Sequence, residues 1–267
     1  RKAGAEEVPV SLDLGLSSSA ARLLADEVLL TTGDRQQSLG WGAVEEIATN
    51  ENNCFLIQDG EIEAVRAFSE LTGRAFSLYP TASAPTMLIS GIPMHRIKDT
   101  DPYRDTQAKL RALGAVGGLV LDTATGLGYT AIQAARAGAQ VVTVELDPAA
   151  REMCRANPWS QELFTRTNIE LRLGDSFDDV EQTPDGVYSS ILHDPPAFAL
   201  AGDLYSAEFY RQAWRVLKPR GRMFHYIGDP ESKSGAQVTR GVVRRLLEAG
   251  FTRVEPRPQA FGVLALK

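Results

Sequence analysis

The sequence predicts an α/β protein in which a Rossmann-like core follows a small antiparallel β domain. Residues 8–100 alternate short apolar runs with turn residues, whereas helical segments alternate with apolar strands from Asp105 onward. The second pattern is typical of a parallel sheet covered by helices on both faces. A length of 267 residues accommodates one standard domain and one small one. We therefore expect a mostly β domain over residues 1–100 and the α/β core over residues 101–267.

In the N-terminal domain, short apolar runs bounded by turn residues predict strands. The expected elements are strands at 27–31, 54–58 and 86–92, a hairpin of 62–68 with 75–79 around Thr72-Gly73, and a short helix from Trp41.

In the core, the hydrophobic period switches repeatedly between that of a helix and that of a strand. Ligands of such sheets bind beyond the carboxyl ends of the strands, so the residues that end the strands are the site candidates. The expected helices are 106–113, 131–137, 148–157, 206–217 and 239–249, and the expected strands are 118–122, 140–145, 169–173, 188–193, 222–227, 252–254 and 261–266.

The charge of the chain restricts its partners. The formal net charge is −6, from 28 Lys and Arg residues against 34 Asp and Glu residues. Residues 1–100 hold 8 basic and 14 acidic residues, and the rest of the chain holds 20 of each. Nucleic-acid binding needs a basic face, so the N-terminal domain is not expected to be a nucleic-acid clamp. The basic residues of 211–222 fit either an RNA patch or a solvated helix end.

The sequence shows no sign of a membrane or metal protein. No apolar run approaches the length of a membrane span, and the first residues lack the apolar segment of a signal peptide. We therefore expect a cytoplasmic protein without membrane contact. Cys54, Cys154 and three scattered histidines do not have the spacing of a metal site, so we expect no metal.

The most informative segment joins an acid to a glycine turn. It reads Val-Leu-Asp122-Thr-Ala-Thr-Gly126-Leu-Gly128-Tyr-Thr, with an apolar strand before Asp122 and a helix after the turn. Glycines let the backbone approach a ligand closely, because no Cβ stands in the way.

Two further acids follow the next two strands. Glu145 ends the second strand, where a carboxylate can bind two vicinal ribose hydroxyls. Asp175 follows the third strand, where it can accept a hydrogen bond from an adenine amine or serve only as a helix N-cap.

These elements together resemble those of class I S-adenosylmethionine-dependent methyltransferases, over roughly 165 residues. The resemblance implies a seven-stranded Rossmann-like core and S-adenosyl-L-methionine as cofactor. Asp122 would lie near the methionine amino group, Glu145 at the ribose and Asp175 at the adenine. One departure is Ala124, where the family's loop commonly has its first glycine. The residues assigned to the cofactor site are Asp122, Thr123, Ala124, Gly126, Gly128, Tyr129, Glu145, Leu146, Asp175, Ser176 and His193.

The fourth strand ends in His193-Asp194-Pro195-Pro196-Ala-Phe198, which points to the acceptor. Two prolines fix the backbone and remove two N–H donors, so the aspartate and nearby carbonyls can accept from a substrate amine. The motif resembles the Asp-Pro-Pro-aromatic signature of methyltransferases that act on exocyclic amines. That resemblance makes Asp194, Pro195, Pro196 and Phe198 the catalytic candidates, with Phe198 stacking on a base. The alternative is a rigid turn with Phe198 in the core.

Other functions fit parts of the pattern. Gly126-Leu-Gly128-Tyr-Thr-Ala131 also matches a dinucleotide fingerprint, and a nicotinamide-dependent oxidoreductase is therefore an alternative, although Asp194-Pro-Pro has no role in it. A protein that only senses the cofactor would not need Asp194-Pro-Pro either. The layout of a β domain before the core is similar to that of spermidine synthases and of predicted archaeal methyltransferases related to them, so aminopropyl transfer in polyamine synthesis is the second candidate.

The sequence leaves the acceptor open. N-methylation of an RNA base and N-methylation of a small amine both fit the motif at Asp194, and a homodimer is one assembly to be expected.

Overall fold

In the computed structural model, the described residues are 6–196, 201–229 and 235–267. The chain divides into two compact units: Arg1–Pro102 with Glu152–Gln161, and Tyr103–Arg151 with Glu162–Lys267. Within the described ranges, no helix combines the length and the apolar character that crossing a membrane requires.

The N-terminal unit contains short antiparallel strands, as the sequence predicts. Their order is β1-β2-β3-β4 in one sheet, β10-β9-β8-β7 in a second and β5-β6 in a third. The elements are β1 (Glu7–Val10), β2 (Ser19–Leu23), β3 (Glu27–Thr32), β4 (Arg35–Gly40), α1 (Trp41–Thr49), β5 (Phe55–Gln58), β6 (Glu61–Ala64), β7 (Arg66–Ser69), β8 (Arg74–Tyr79), β9 (Thr86–Ile89) and β10 (Ile92–Pro93).

The predicted hairpin of 62–68 with 75–79 is only half correct. The apolar run divides at Val65, so that its first part pairs with β5 and its second part pairs with β8. Val65 itself is buried and donates its N–H to the carbonyl of Cys54. One apolar run therefore forms strands of two different sheets, and the buried Val65 separates the two strands.

The chain from Pro102 onward has the predicted alternation of helices and strands. Its elements are α2 (Pro102–Leu113), β11 (Leu119–Asp122), α3 (Tyr129–Arg136), β12 (Gln140–Glu145), α4 (Pro148–Ala156), α5 (Glu162–Thr165), β13 (Ile169–Leu173), α6 (Ser176–Gln182), β14 (Tyr188–His193), α7 (Ala207–Val216), β15 (Leu217–Tyr226), α8 (Gly235–Glu248), β16 (Arg253–Arg257) and β17 (Gly262–Leu266).

The seven core strands form one sheet in the order β13-β12-β11-β14-β15-β17-β16. The first five are parallel, and β17 runs antiparallel to both of its neighbours. This architecture confirms the predicted fold class, a Rossmann-like seven-stranded core with a small antiparallel β domain before it. Because successive side chains of a strand face opposite sides, both faces of the buried strands must be covered. On one face, Leu121, Val142 and Ile191 pack in a buried cluster with Phe209 of α7 and Val242 of α8.

Two of the differences from the sequence expectation concern β15 and α6. β15 begins at Leu217 instead of Arg222, because Leu217 pairs with Tyr188 before the register shifts. The short helix α6 was not predicted; its sequence Ser-Phe-Asp-Asp-Val-Glu-Gln is too acidic and too short for a clear apolar period, and Val180 alone gives it a fully buried apolar side chain.

Gly128 is required by packing, which gives a test of the fold. It has φ of +76°, and a Cβ there would lie 2.2 Å from Cδ1 and 2.5 Å from Cγ of the buried Leu163. We expect Gly128→Ala to lower the free energy of unfolding by about 1–2 kcal/mol for the left-handed backbone and by about 1–3 kcal/mol more for overpacking. Urea denaturation followed by circular dichroism measures both losses together.

The matched control is Gly126→Ala. Its φ of +52° carries the same backbone cost, but among the described residues a Cβ there would meet no atom within 4 Å. Equal losses of stability in the two variants would contradict the packing role of Gly128.

Candidate active site

The parallel register brings the predicted acids to one edge of the sheet. Asp122 at the end of β11 is level with Thr143 of β12 and with Leu192 of β14. Glu145 and Asp194 follow those two positions within two residues along their own chains. The carboxyl ends of three neighbouring strands therefore supply three carboxylates to one place.

Two backbone hydrogen bonds fix the loop that follows Asp122. The N–H of Thr123 donates to the carbonyl of Leu192 at 3.0 Å, and the N–H of Thr125 donates to the carbonyl of Val144 at 2.9 Å. The loop is thus attached to the strands on both sides of β11. At its turn, the open space beside Gly126 leaves the backbone accessible to a ligand.

Asp122 is completely buried, and its two oxygens are in different environments. Oδ2 accepts hydrogen bonds from the hydroxyls of Thr143 at 3.0 Å and Thr130 at 3.1 Å. Oδ1 makes no hydrogen bond of ordinary geometry within the described part of the chain. Burial raises the pKa of Asp122 to about 7, since the two hydroxyls and the backbone N–H of Ala124 only partly offset the loss of water. Oδ1 can thus accept a further hydrogen bond.

Glu145 connects two loops through its carboxylate. Oε2 accepts from the N–H of Gly126 at 2.9 Å, and Oε1 accepts from the N–H of Asp147 at 3.0 Å. Each carboxylate oxygen has a second lone pair, so two further donors can still be accepted. Burial raises the pKa of Glu145 to about 7, and the backbone donors offset this only in part.

Beside Glu145, the chain presents one apolar side chain. Leu146 is 49% exposed although it follows a buried strand. The next residue, Asp147, is buried and accepts from the N–H of Ala149, the second residue of α4. An apolar side chain next to a carboxylate is the combination that the base and ribose of a nucleoside require.

Asp175 is the N-cap of α6. Its Oδ1 accepts from the N–H of Phe177 at 2.7 Å, and the residue is exposed. The hydroxyl of Ser176 donates to the carbonyl of Thr123, which joins this helix start to the glycine loop. The capping alternative for Asp175 is therefore present, and its adenine contact stays a prediction.

His193 belongs to the frame of the site. Its Nε2–H donates to the carbonyl of Leu204 at 2.9 Å, and its Nδ1 accepts from the hydroxyl of Thr123 at 2.7 Å. Burial lowers the pKa of His193 to about 3, so the ring is neutral. Both ring nitrogens are thus used inside the protein, and a contact of His193 with the cofactor stays a prediction.

The turn after β14 places Asp194 at the surface of the site. Pro195 is buried, and the carbonyl of Pro196 accepts from the hydroxyl of Tyr205 at 3.1 Å. The side chain of Asp194 is 19% exposed. Phe198, the fourth catalytic candidate, lies outside the described residues.

Sequence reasoning missed the partner of Asp194. Nζ of Lys109 on α2 lies 2.6 Å from Oδ2 of Asp194 and 2.7 Å from Oδ2 of Asp105. A signal was present, because Lys109 is three and four residues from the buried Ala112 and Leu113 and therefore lies on the apolar face of its helix.

Two of the basic residues near α7 bind backbone carbonyls of other segments. Arg215 donates to the carbonyls of Thr183 and Val180, and Arg222 donates to the carbonyl of Ala115. These bonds favour the structural interpretation of this cluster over an RNA patch.

The hydrogen-bond acceptors of the site fit S-adenosylmethionine. Oδ1 of Asp122 can accept from an amino group, and the remaining lone pairs of Glu145 can accept from ribose hydroxyls. A Cβ at residue 126 would fill the open space beside the turn.

Comparison with known proteins agrees with this geometry. Residues 121–225 match a family model described as "Methyltransferase domain". "Uncharacterized protein MJ1233" of Methanocaldococcus jannaschii is 40% identical over 264 residues, which are 98% of this chain and 90% of that protein. "Polyamine aminopropyltransferase 2" of Streptomyces coelicolor is 28% identical over 124 residues, which are 44% of this chain and 22% of that protein.

Among solved structures, a spermidine synthase in complex with the transition-state analogue AdoDATO superposes with a TM-score of 0.62. The match covers 78% of this chain and 75% of the other at 15% identity, so it shows a common fold. The chain belongs to the same family as MJ1233 of M. jannaschii, and its residues 121–225 match a methyltransferase domain.

Proposed function

We propose that this protein methylates a nitrogen atom of an amine-bearing acceptor, and that Asp194 orients that amine. The observation that carries the proposal is the partly exposed carboxylate of Asp194, held by a buried lysine and followed by two prolines. Neither a nicotinamide enzyme nor a cofactor sensor requires such a group at the end of the fourth core strand.

The cofactor residues are part of the same proposal. When bound, S-adenosylmethionine would supply an activated methyl group for displacement by the acceptor nitrogen. Asp122 would accept from the amino group of the cofactor, Glu145 from its ribose and Asp175 from its adenine. Asp194 accepts an N–H of the acceptor, aligns the nitrogen lone pair and takes up the proton that must leave. Alignment of this kind supplies much of the rate of a displacement reaction.

Aminopropyl transfer is the second candidate, favoured by the 28% identity to the Streptomyces aminopropyltransferase. Calorimetric titration with S-adenosylmethionine and with its decarboxylated form separates the two. Tighter binding of the intact amino acid supports methyl transfer, and tighter binding of the decarboxylated form supports aminopropyl transfer. NAD is the third titrant, and exclusive binding of NAD would overturn both.

The acceptor class can then be tested with S-adenosylmethionine labelled in its methyl group. Label recovered in RNA, with transfer that falls steeply as salt rises, indicates a nucleic-acid acceptor. Label recovered in a small amine with little salt dependence indicates the other class.

Glu145→Ala is expected to weaken S-adenosylmethionine binding about 10- to 100-fold, since a hydrogen bond to a charged group is worth about 1.5–3 kcal/mol. Isothermal titration calorimetry measures the change. Glu181→Ala, which removes an exposed carboxylate on α6, is the control and should leave the affinity unchanged. Equal affinities in both variants would remove Glu145 from the site.

Asp122→Asn is expected to increase the stability of the apoprotein over that of wild type by more at pH 8 than at pH 5. The folded protein holds the Asp122 proton more tightly than the unfolded chain, so the stability this proton contributes is complete below about pH 4 and lost as pH rises through 7. The gain over wild type should grow by about 2 kcal/mol between pH 5 and pH 8, measured by urea denaturation. Stability curves that stay parallel across this range would contradict it.

Asp194→Asn is expected to abolish most methyl transfer while the cofactor still binds. The amide keeps one acceptor oxygen but takes up no proton, so the turnover number should fall about 100-fold or more. Single-turnover transfer of labelled methyl to the acceptor identified above measures the loss. Full activity in this variant would show that Asp194 has no role in the transfer.

A further inference from the structure

Lys109 is a buried cation beside the proposed acceptor site. Its side chain is 2% exposed, and Nζ lies between the carboxylates of Asp105 and Asp194. The ring centroid of Tyr226 is 4.6 Å from Nζ. A buried ammonium persists only where carboxylates and an aromatic face replace the lost water, and here both are present.

The cluster of Asp105, Lys109 and Asp194 contains two carboxylates and one ammonium. When all three are ionised its net charge is −1. Burial lowers the pKa of Lys109, but the two carboxylates more than reverse this and raise it. Burial also raises the pKa of Asp194, with Lys109 opposing and Asp105 adding to the increase. The lysine is thus the charge that favours the ionised form of Asp194.

Asp194 is the one member of the cluster that reaches the surface. Its side chain is 19% exposed, against 2% for Lys109 and 0% for Asp105. Lys109 holds Oδ2 of Asp194, while Pro195 and Pro196 restrict the backbone on the other side. Both the side chain and the backbone of Asp194 are therefore restrained, and the remaining lone pairs of the carboxylate stay available to a ligand.

A purely structural role does not require these charges. Apolar residues of similar volume often replace a buried ion pair without loss of stability. The ion pair involves Asp194, the one carboxylate of this cluster that reaches the surface, which indicates that the charge of Asp194 has a functional role.

We propose that Lys109 is a positioning residue, which keeps Asp194 ionised and oriented so that the carboxylate can receive the acceptor amine. This inference rests on the proposed role of Asp194 as the group that binds the amine.

Other ionisable groups also face Asp194 and must be accounted for. Asp122 on β11 and Tyr205 in the short helix at residues 202–205 are coupled to it by charge. His193 is neutral, and Tyr226 on β15 lies against Lys109. Asp122 disfavours the ionised form of Asp194. Among the groups named here, Lys109 supplies the positive charge that favours it.

The test is an NMR titration that needs neither cofactor nor acceptor. In protein labelled at the aspartate side-chain carboxyl carbon, the Asp194 signal is assigned by its loss in Asp194→Asn. Lys109→Met should raise the pKa of Asp194 by about one to three pH units, since it removes an opposite charge within 4 Å. Asp105→Asn should shift the same pKa downward, because it removes a like charge.

Arg111→Met is the matched control, because it removes a cation from an exposed position two residues further along α2. The pKa of Asp194 should change by no more than a few tenths there, since solvent screens exposed charges. Opposite shifts in the two cluster variants support the proposal, and a mere packing role would not produce them. An unchanged Asp194 pKa in folded Lys109→Met or in Asp105→Asn overturns it.

If Lys109→Met does not fold, the downward shift in Asp105→Asn and retention of the wild-type pKa in Lys109→Arg decide the question. Failure of the proposed function is separate, because it would be seen in the cofactor titrations and the labelled-methyl assay. The NMR titration reports only on the charge of Asp194.

Discussion

The pairing of β11 with β12 on one side and β14 on the other is the constraint on which the site depends. The three strands are parallel and in a register that brings Asp122 level with Thr143 and Leu192. The N–H groups of the loop after Asp122 then continue the hydrogen bonding onto both neighbours. A slip of one residue in either pairing would turn alternate side chains to the opposite face and separate the acids.

This arrangement places carboxylates where water is largely excluded, which is costly for the apoprotein. Asp122 and Glu145 both have pKa values raised to about 7, and the pKa of Asp194 is raised as well. A ligand that brings an amino group and hydroxyls supplies the missing donors. The apoprotein thus retains local destabilisation, which the proposed binding of the cofactor at these residues would relieve.

The sequence was sufficient for the fold class and for the places of the predicted acids at the ends of the strands. Strand ends and the glycine turn are local patterns, so Asp122, Gly126 and Glu145 could be located from spacing alone. The cluster at Lys109 could not, because 85 residues separate Lys109 from Asp194. The hydrogen bonds of His193 could not be predicted for a related reason: its partners Thr123 and Leu204 are brought to it only by the folded sheet and the turn that follows.

The two buried histidines have a consequence of their own. The tautomer of His193 is set by Leu204 and Thr123, and the neighbouring His225 accepts from the hydroxyl of Tyr210 at 2.9 Å and donates from Nδ1 toward the carbonyl of His193. The hydrogen bonds thus assign a position to the N–H proton of each imidazole, between Tyr210 on α7 and Thr123 in the loop that carries Gly126. Such protons exchange slowly with solvent, so the two imidazole N–H signals can report on the interior of the protein without a chemical label.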